Sequence, residues 1–227
     1  VQVSPIAFNE TQRNFKDLSN ITCFLEDEHV VWFSSPGLGL VKGEELNPLF
    51  ASFLPINSIT DRLYELAKNT RSIASYDSTH LLLSTLNGLI KFDLINHSFE
   101  PLTYDDFSKK AFGSNPYSKI LVDTKKNTWI ASWNKPLIYI LDAQHKRYVH
   151  INPFEAKGIT TYQSLRSLFL DSKGNLWLGT DGNLLYRAAI ADFDFSKPDL
   201  LEFKKIVPLT QDQQTVIFNT CFSIAED

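Results

Sequence analysis

Methionine is wholly absent from the 227 residues. That is improbable by chance at this length. The chain opens on Val1, which reads as the start of a processed or excised piece. No apolar run approaches the ~18 residues needed to span a bilayer. No basic-then-apolar leader opens the chain, so any signal peptide has already been removed. Cysteine is almost missing as well. Cys23 and Cys221 lie nearly the whole chain apart, which leaves two buried thiols or one long-range disulfide, and no disulfide framework or paired-cysteine zinc site. Lys and Arg number 22 against 26 Asp and Glu, a net charge of −4. With no basic stripe, most of the case for nucleic-acid binding is gone. The G-x-S-x-G elbow and the P-loop are absent. Asn9, Asn20 and Asn96 match the glycosylation acceptor pattern.

What is present is an ordinary globular composition, 43% hydrophobic and 21% charged, long enough for one large domain or two small ones. Aromatics reach 13%, which leans toward β structure. The decisive feature is internal repetition. The clearest unit runs from Leu165 to Arg187, LRSLFLDSKGNLWLGTDGNLLYR, with looser copies at Ile21–Lys42, Ile73–Asp93 and Ile120–Ile140. In each, an apolar segment ends in an aspartate: Asp27, Asp77, Asp123 and Asp171, with Asp227 after the partial copy CFSIAED. A polar turn follows, then Trp32, Leu82, Trp129 or Trp177, each followed by another apolar residue. Two small residues come next: Ser34-Ser35, Ser84-Thr85, Ala131-Ser132 and Gly179-Thr180. A loop then leads into a further apolar strand.

Each part has a physical reading. Short apolar runs bounded by turn residues are buried strands. The aspartates suit turns, because their carboxylates accept nearby backbone N–H groups. Five equivalents argue for architecture over catalysis. The small pair lets neighbouring sheets approach closely. After a further turn comes a fourth strand, at Phe99–Leu102 in one copy and Arg147–Ile151 in another. Four antiparallel strands at a 40–50-residue period make a β-propeller blade. The expected organisation is an all-β partial propeller over 1–227: a leading segment 1–20, blades at 21–57, 71–104, 117–152 and 163–208, and the first strand of a further blade at 218–227. Residues 58–67 have helical apolar spacing and are expected to form a short connecting helix. Trp32, Trp129 and Trp177 share one slot and are expected in the core between blades.

The segment LFLDSKGNLWLGTDGNLLYR resembles the two-component regulator propeller repeat, whose pattern runs roughly D-x-x-G-x-L-W-I-G-T-x-x-G-L-x-x-Y. The other copies keep Asp27 with Trp32, Asn87-Gly88-Leu89 with Asp93, and Asp123 with Trp129. The resemblance implies the periplasmic sensor region of a hybrid two-component histidine kinase of gut Bacteroides type. That region would hold seven-bladed propellers and would recognise carbohydrate fragments. It further implies an oligosaccharide ligand, the remaining blades of the same sensor as partners, and a homodimeric parent. For this region it implies no enzyme activity, no cofactor, no metal, and no contact with nucleic acid or membrane. With a seven-bladed parent, these four blades are expected to form an open arc whose ends other chain or a second copy would cover. Two other readings stand beside it: a streptogramin-lyase-like enzymatic propeller and a protein-interaction scaffold.

Propellers bind ligands at the loops joining second and third strands and at the connections between blades. Trp133 stands outside the tryptophan slot, in a polar loop, where an indole suits stacking on a sugar face. Arg71, Tyr117, Tyr162 and Arg166 lie where connections enter innermost strands and are candidates for the channel mouth. The five histidines, His29, His80, His97, His145 and His150, fall in or beside turns. Their repeat-equivalent pairs lie on different blades, so they suggest no shared metal.

Overall fold

The computed structural model describes residues 8–14, 21–27, 30–35, 39–44, 47–55, 62–102, 116–144, 147–154, 164–182, 185–207 and 220–226. The first sheet holds β1 (Phe8–Asn14), β2 (Cys23–Asp27), β3 (Val30–Ser35), β4 (Gly39–Glu44) and β5 (Asn47–Pro55). Helix α1 (Arg62–Ala67) leads to the second sheet, of β6 (Thr70–Ser75), β7 (His80–Thr85), β8 (Gly88–Asp93) and β9 (Ser98–Pro101). The third holds β10 (Tyr117–Val122), β11 (Thr128–Ser132), β12 (Ile138–Leu141) and β13 (Tyr148–Ile151). The fourth holds β14 (Leu165–Leu170), β15 (Asn175–Thr180), β16 (Leu185–Ala189) and β17 (Lys204–Ile206). The last three sheets are four-stranded meanders in chain order. These are the blades of a β-propeller, as the repeat led us to expect.

The first sheet differs. Its order is β1-β5-β4-β3-β2, so the leading segment supplies a fifth strand, paired from Phe8 opposite Pro55 to Asn14 opposite Leu49. Without β1, β5 would offer an edge of unpaired backbone groups, and pairing is one way proteins blunt such edges.

The chain divides into two compact units after Ile120. In the first, Trp32, Leu40, Phe53, Ile73, Leu83, Ile90, Phe92 and Phe99 form one core. Trp32 packs against Phe53 and Phe92, with ring centroids 5.7 and 5.8 Å away. Helix α1 joins this core through Leu63, Leu66 and Ala67, one face at i, i+3 and i+4 spacing. Its end is held by side chains: Asn69 Nδ2 donates to the Glu65 carbonyl (2.9 Å) and Thr70 Oγ1 to that of Ala67 (2.8 Å). These satisfy carbonyls that the helix itself leaves orphaned. In the second unit, Trp129, Ile140, Phe154, Leu165, Leu178 and Tyr186 belong to a single core that spans the third and fourth sheets.

Successive innermost strands are tied by hydroxyls. In the first unit, Thr22 Oγ1 donates to the Thr70 carbonyl (3.1 Å), and Ser72 Oγ accepts from the Ile120 N–H (3.3 Å). In the second, Ser167 Oγ donates to the Cys221 carbonyl (3.0 Å). Gly179 shows why the slot must be small. A Cβ there would lie 2.2 Å from Ser167 Oγ and 2.7 Å from both the carbonyl oxygen and the Sγ of Cys221. Thr180, the other half of the pair, is fully buried and its carbonyl accepts from the Cys221 N–H (3.2 Å).

One core expectation needs correction. Trp129 is fully buried and Trp32 is 5% exposed, but Trp177 is only half-buried. Trp129 faces Phe193 across to the following sheet (5.1 Å), whereas Trp177 is met by the exposed Arg187, 5.4 Å from its ring. Both cysteines are free thiols. Burial pushes the Cys23 thiol up, with hydrogen bonding to Ser34 opposing it.

Candidate functional site

The aspartate turns decide which carboxylates are left over for function. Asp171 Oδ1 accepts from the N–H groups of Lys173 (3.0 Å) and Asn175 (2.7 Å), and Oδ2 from the Trp177 indole (2.8 Å). Burial pushes this carboxyl up, but the bonds from Trp177, Asn175 and Lys173 outweigh it and pull it down to about 2. Asp123 repeats the pattern: Asn127 N–H at 2.8 Å, Asn127 Nδ2 at 3.0 Å and the Trp129 indole at 2.9 Å. In the second blade Leu82 replaces the tryptophan. There the Asp77 carboxylate takes the Thr79 N–H (2.7 Å), the Thr79 hydroxyl (2.9 Å) and His80 Nδ1 (3.0 Å). The oxygens of all three are engaged by their own turns. Asp27 closes β2, opposite Val30 in the ladder.

The turns also need one residue of left-handed backbone. Gly174 supplies it at φ 76° and Lys126, in the equivalent place, at φ 66°. Nothing lies within 4 Å of a Cβ at Gly174, so the demand there is conformational, not spatial.

At the opposite ends of these strands two predicted ligand residues come together. Trp133 lies just beyond β11, in the loop to β12, and is half-buried. Arg166 occupies a register shift in β14, between Leu165 and Ser167. Such bulges re-aim side chains. The Arg166 guanidinium sits 3.9 Å from the Trp133 ring centroid, a cation–π stack between consecutive blades of the second unit. Asp181 completes the group. It accepts from Arg166 Nε (2.8 Å) and Nη2 (2.5 Å), a side-on bidentate pair, and from Thr220 Oγ1 (3.2 Å). The Arg166 hydrogen bonds hold the Asp181 carboxyl below its usual range; burial opposes them, and the Arg166 charge and Thr220 assist.

The other candidates fall elsewhere. Arg71 sits on the equivalent bulge of β6 in the first unit, between Thr70 and Ser72, and is half-buried. Tyr117 is fully buried in β10, so as it stands it offers no surface to a ligand. Tyr162 lies outside the described residues. Sequence reasoning missed the part played by Asp181, although a signal was there. Asp181 directly follows the small pair Gly179-Thr180, the slot that Trp133 occupies after Ala131-Ser132. An open cleft of about 460 Å³, lined by Lys125, Asn127, Asp142, Arg147, Phe193 and Phe195 among others, lies at the turn end and holds none of the candidates. Among the described residues, no group of three or more His, Cys, Asp or Glu side chains could hold a metal ion. No helix among them is long and apolar enough to cross a membrane.

The two component regulator propeller family matches residues 160–182, the stretch that contributes Arg166 and Asp181. The chain carries a two component regulator propeller repeat. No curated protein matches it by sequence. Among solved structures it is similar to the extracellular domain of a putative hybrid two component system from B. thetaiotaomicron, at 15% identity and TM-score 0.57, covering 86% of this chain and 26% of that one. An auxiliary nutrient binding protein from Bacteroides thetaiotaomicron gives 9% identity and TM-score 0.62, covering 88% and 46%. A virginiamycin B lyase from Staphylococcus aureus gives 8% identity and TM-score 0.57, covering 94% and 68%. At such identities the likeness shows the propeller fold. The chain spans about a quarter of the length of that extracellular domain.

Proposed function

We propose that this chain is part of the extracytoplasmic, ligand-sensing propeller of a hybrid two-component sensor, and that it binds oligosaccharide at the loop ends of its blades. The observation that carries this reading is that the regulator propeller repeat itself supplies Arg166 and Asp181 to a preformed aromatic and ionic group with Trp133. Such a group offers an indole surface beside oriented hydrogen-bond donors, the combination that recognises a hydroxyl-bearing ring. Signalling would follow from population shift: ligand favours one arrangement of the sensor, and the kinase responds to it. The test is calorimetric titration of the protein with a panel of defined oligosaccharides, followed by Trp133→Ala. The expected result is binding by at least one of them, lost in the variant. Absence of binding across the panel, or unchanged binding in Trp133→Ala, would refute the reading. Cleavage of the oligosaccharides on incubation would replace the sensor by an enzymatic propeller.

A further inference from the structure

Arg166 is a cation whose charge is cancelled where it stands. Its side chain is 16% exposed, and Asp181 grips it side-on through Nε and Nη2. Asp181 is in turn held by Thr220. Trp133 lies against the guanidinium plane. Among the described residues the Nη1 donors of Arg166 have no hydrogen-bond partner. The result is a planar donor, fixed in orientation, without net charge across the pair. Lys135, on the same loop as Trp133, is exposed, where solvent and salt screen its charge.

We infer that this cluster selects uncharged, hydroxyl-rich ligands over acidic ones, with Asp181 as the positioning residue that holds Arg166 against Trp133 and neutralises it. The inference rests on the reading of this end of the blades as an oligosaccharide site. A neutral sugar hydroxyl or ring oxygen accepts a hydrogen bond from Nη1 and asks for no counter-charge. A uronate or sulfate group brought to the same donors meets the Asp181 carboxylate, 35% exposed and ionised. It gains little from an already compensated guanidinium, and like-charge juxtaposition is a standard device for rejecting a wrong partner. The exposed part of the Trp133 indole supplies the apolar surface on which a pyranose ring lies. Asp181 sets both the orientation of Arg166 and the charge the pair presents, so its removal changes which class binds.

The experiment uses two matched panels. One holds neutral gluco-, galacto-, manno- and xylo-oligosaccharides; the other holds uronate-bearing or sulfated oligosaccharides of the same lengths. Each is titrated into the protein at two salt concentrations, with Trp133 emission as a second readout. Wild type is expected to bind a neutral member with little salt dependence. Asp181→Asn should weaken that member about tenfold and strengthen acidic ones, whose binding then falls with salt. Arg166→Gln removes the donor itself, so it should weaken neutral binding with no gain for acidic members. It keeps the inference testable if Asp181→Asn fails to fold. Tight, salt-sensitive binding of acidic members to wild type, or an unchanged ratio of the two classes in Asp181→Asn, would overturn the inference and leave the oligosaccharide reading standing. Binding of neither panel would overturn both.

Discussion

Gly179→Ala tests the packing logic of the propeller at its tightest point. A glycine-to-alanine change that fits its surroundings stabilises a protein by about 0.4–1 kcal/mol, because the unfolded chain loses freedom. Gly179 lies in β15 and is absent from the residues with positive φ, so the backbone itself would accept alanine. The surroundings would not. The new Cβ falls 2.2 Å from Ser167 Oγ and 2.7 Å from the Cys221 carbonyl oxygen, far inside an ordinary contact of 3.4 Å or more. Ser167 could turn away, but its hydroxyl donates to the Cys221 carbonyl, so that bond would go. A lost hydrogen bond costs about 1 kcal/mol, and overpacking about 1–3 kcal/mol. Subtracting the unfolded-state gain leaves a net loss of about 1–3 kcal/mol. Urea denaturation followed by circular dichroism should show a lower midpoint with an unchanged slope. Adding Ser167→Ala should recover only part of the loss, because the contact with Cys221 remains. If Gly179→Ala were as stable as wild type, or more so, the close approach of Ser167 and Cys221 to β15 would be refuted.

Three further outcomes follow from the repeat. Trp129→Ala should cost about 3–5 kcal/mol as a fully buried aromatic, and Trp177→Ala clearly less, since its ring is half-exposed; equal losses in thermal melts would contradict the difference in packing. The Asp171 carboxyl is held at about 2 against an ordinary 3.8, so its contribution is complete above about pH 4 and is lost as pH falls toward 2. Asp171→Asn should therefore flatten the acid limb of stability between those values, and an unchanged limb would show that the turn does not depend on the charge. Lys126→Gly should stabilise by about 0.5–1 kcal/mol, since a left-handed non-glycine residue costs about 1–2 kcal/mol and glycine's own entropy offsets part of it; destabilisation on chemical denaturation would mean the lysine side chain does more than fill the turn.

The blades were legible because their strands are short, apolar and separated by aspartate turns at a regular period. The indole bonds had a signal too. Trp129 and Trp177 follow their aspartates by six residues, whereas Trp32 and Leu82 follow by five. What the sequence hid was set by tertiary neighbours. The strand FNETQRN is polar after Phe8, with no apolar alternation, so nothing local distinguished a paired β1 from a loose leader. Trp177 shares the slot of Trp129, but burial belongs to whatever packs on the outer face, which the repeat alone does not specify. The candidate site was half legible. Trp133 stood out as a tryptophan beyond the template, and Arg166 as a charged residue entering an innermost strand. Their meeting depends on a register shift in β14, and the role of Asp181 depends on β14 and β15 lying side by side.

That placement gives binding a route into the fold. Arg166 immediately precedes Ser167, whose hydroxyl holds the carbonyl of Cys221. Asp181 is bonded by Thr220, and the Cys221 N–H donates to the Thr180 carbonyl. Asp181, which grips Arg166, and Ser167, its chain neighbour, are thus each bonded directly to the 220–226 segment. That segment buries little, with Phe222 64% exposed, and a further tie lies at its far end, where the Glu226 carboxylate accepts from the Ser172 N–H (2.7 Å) and hydroxyl (2.8 Å). A ligand that immobilises Arg166 should therefore raise the free energy of opening there first, since regions with few buried contacts open locally at low cost. The measurement is amide hydrogen exchange with and without a bound oligosaccharide. The Cys221 amide, whose acceptor lies next to Asp181, should slow by about tenfold or more, the equivalent of ~1.4 kcal/mol. Amides in β12, packed in the core, should not change. Protection spread evenly over the unit, or confined to the loop that carries Trp133, would show that the site is not coupled to the 220–226 segment and would leave population shift without a path through Arg166.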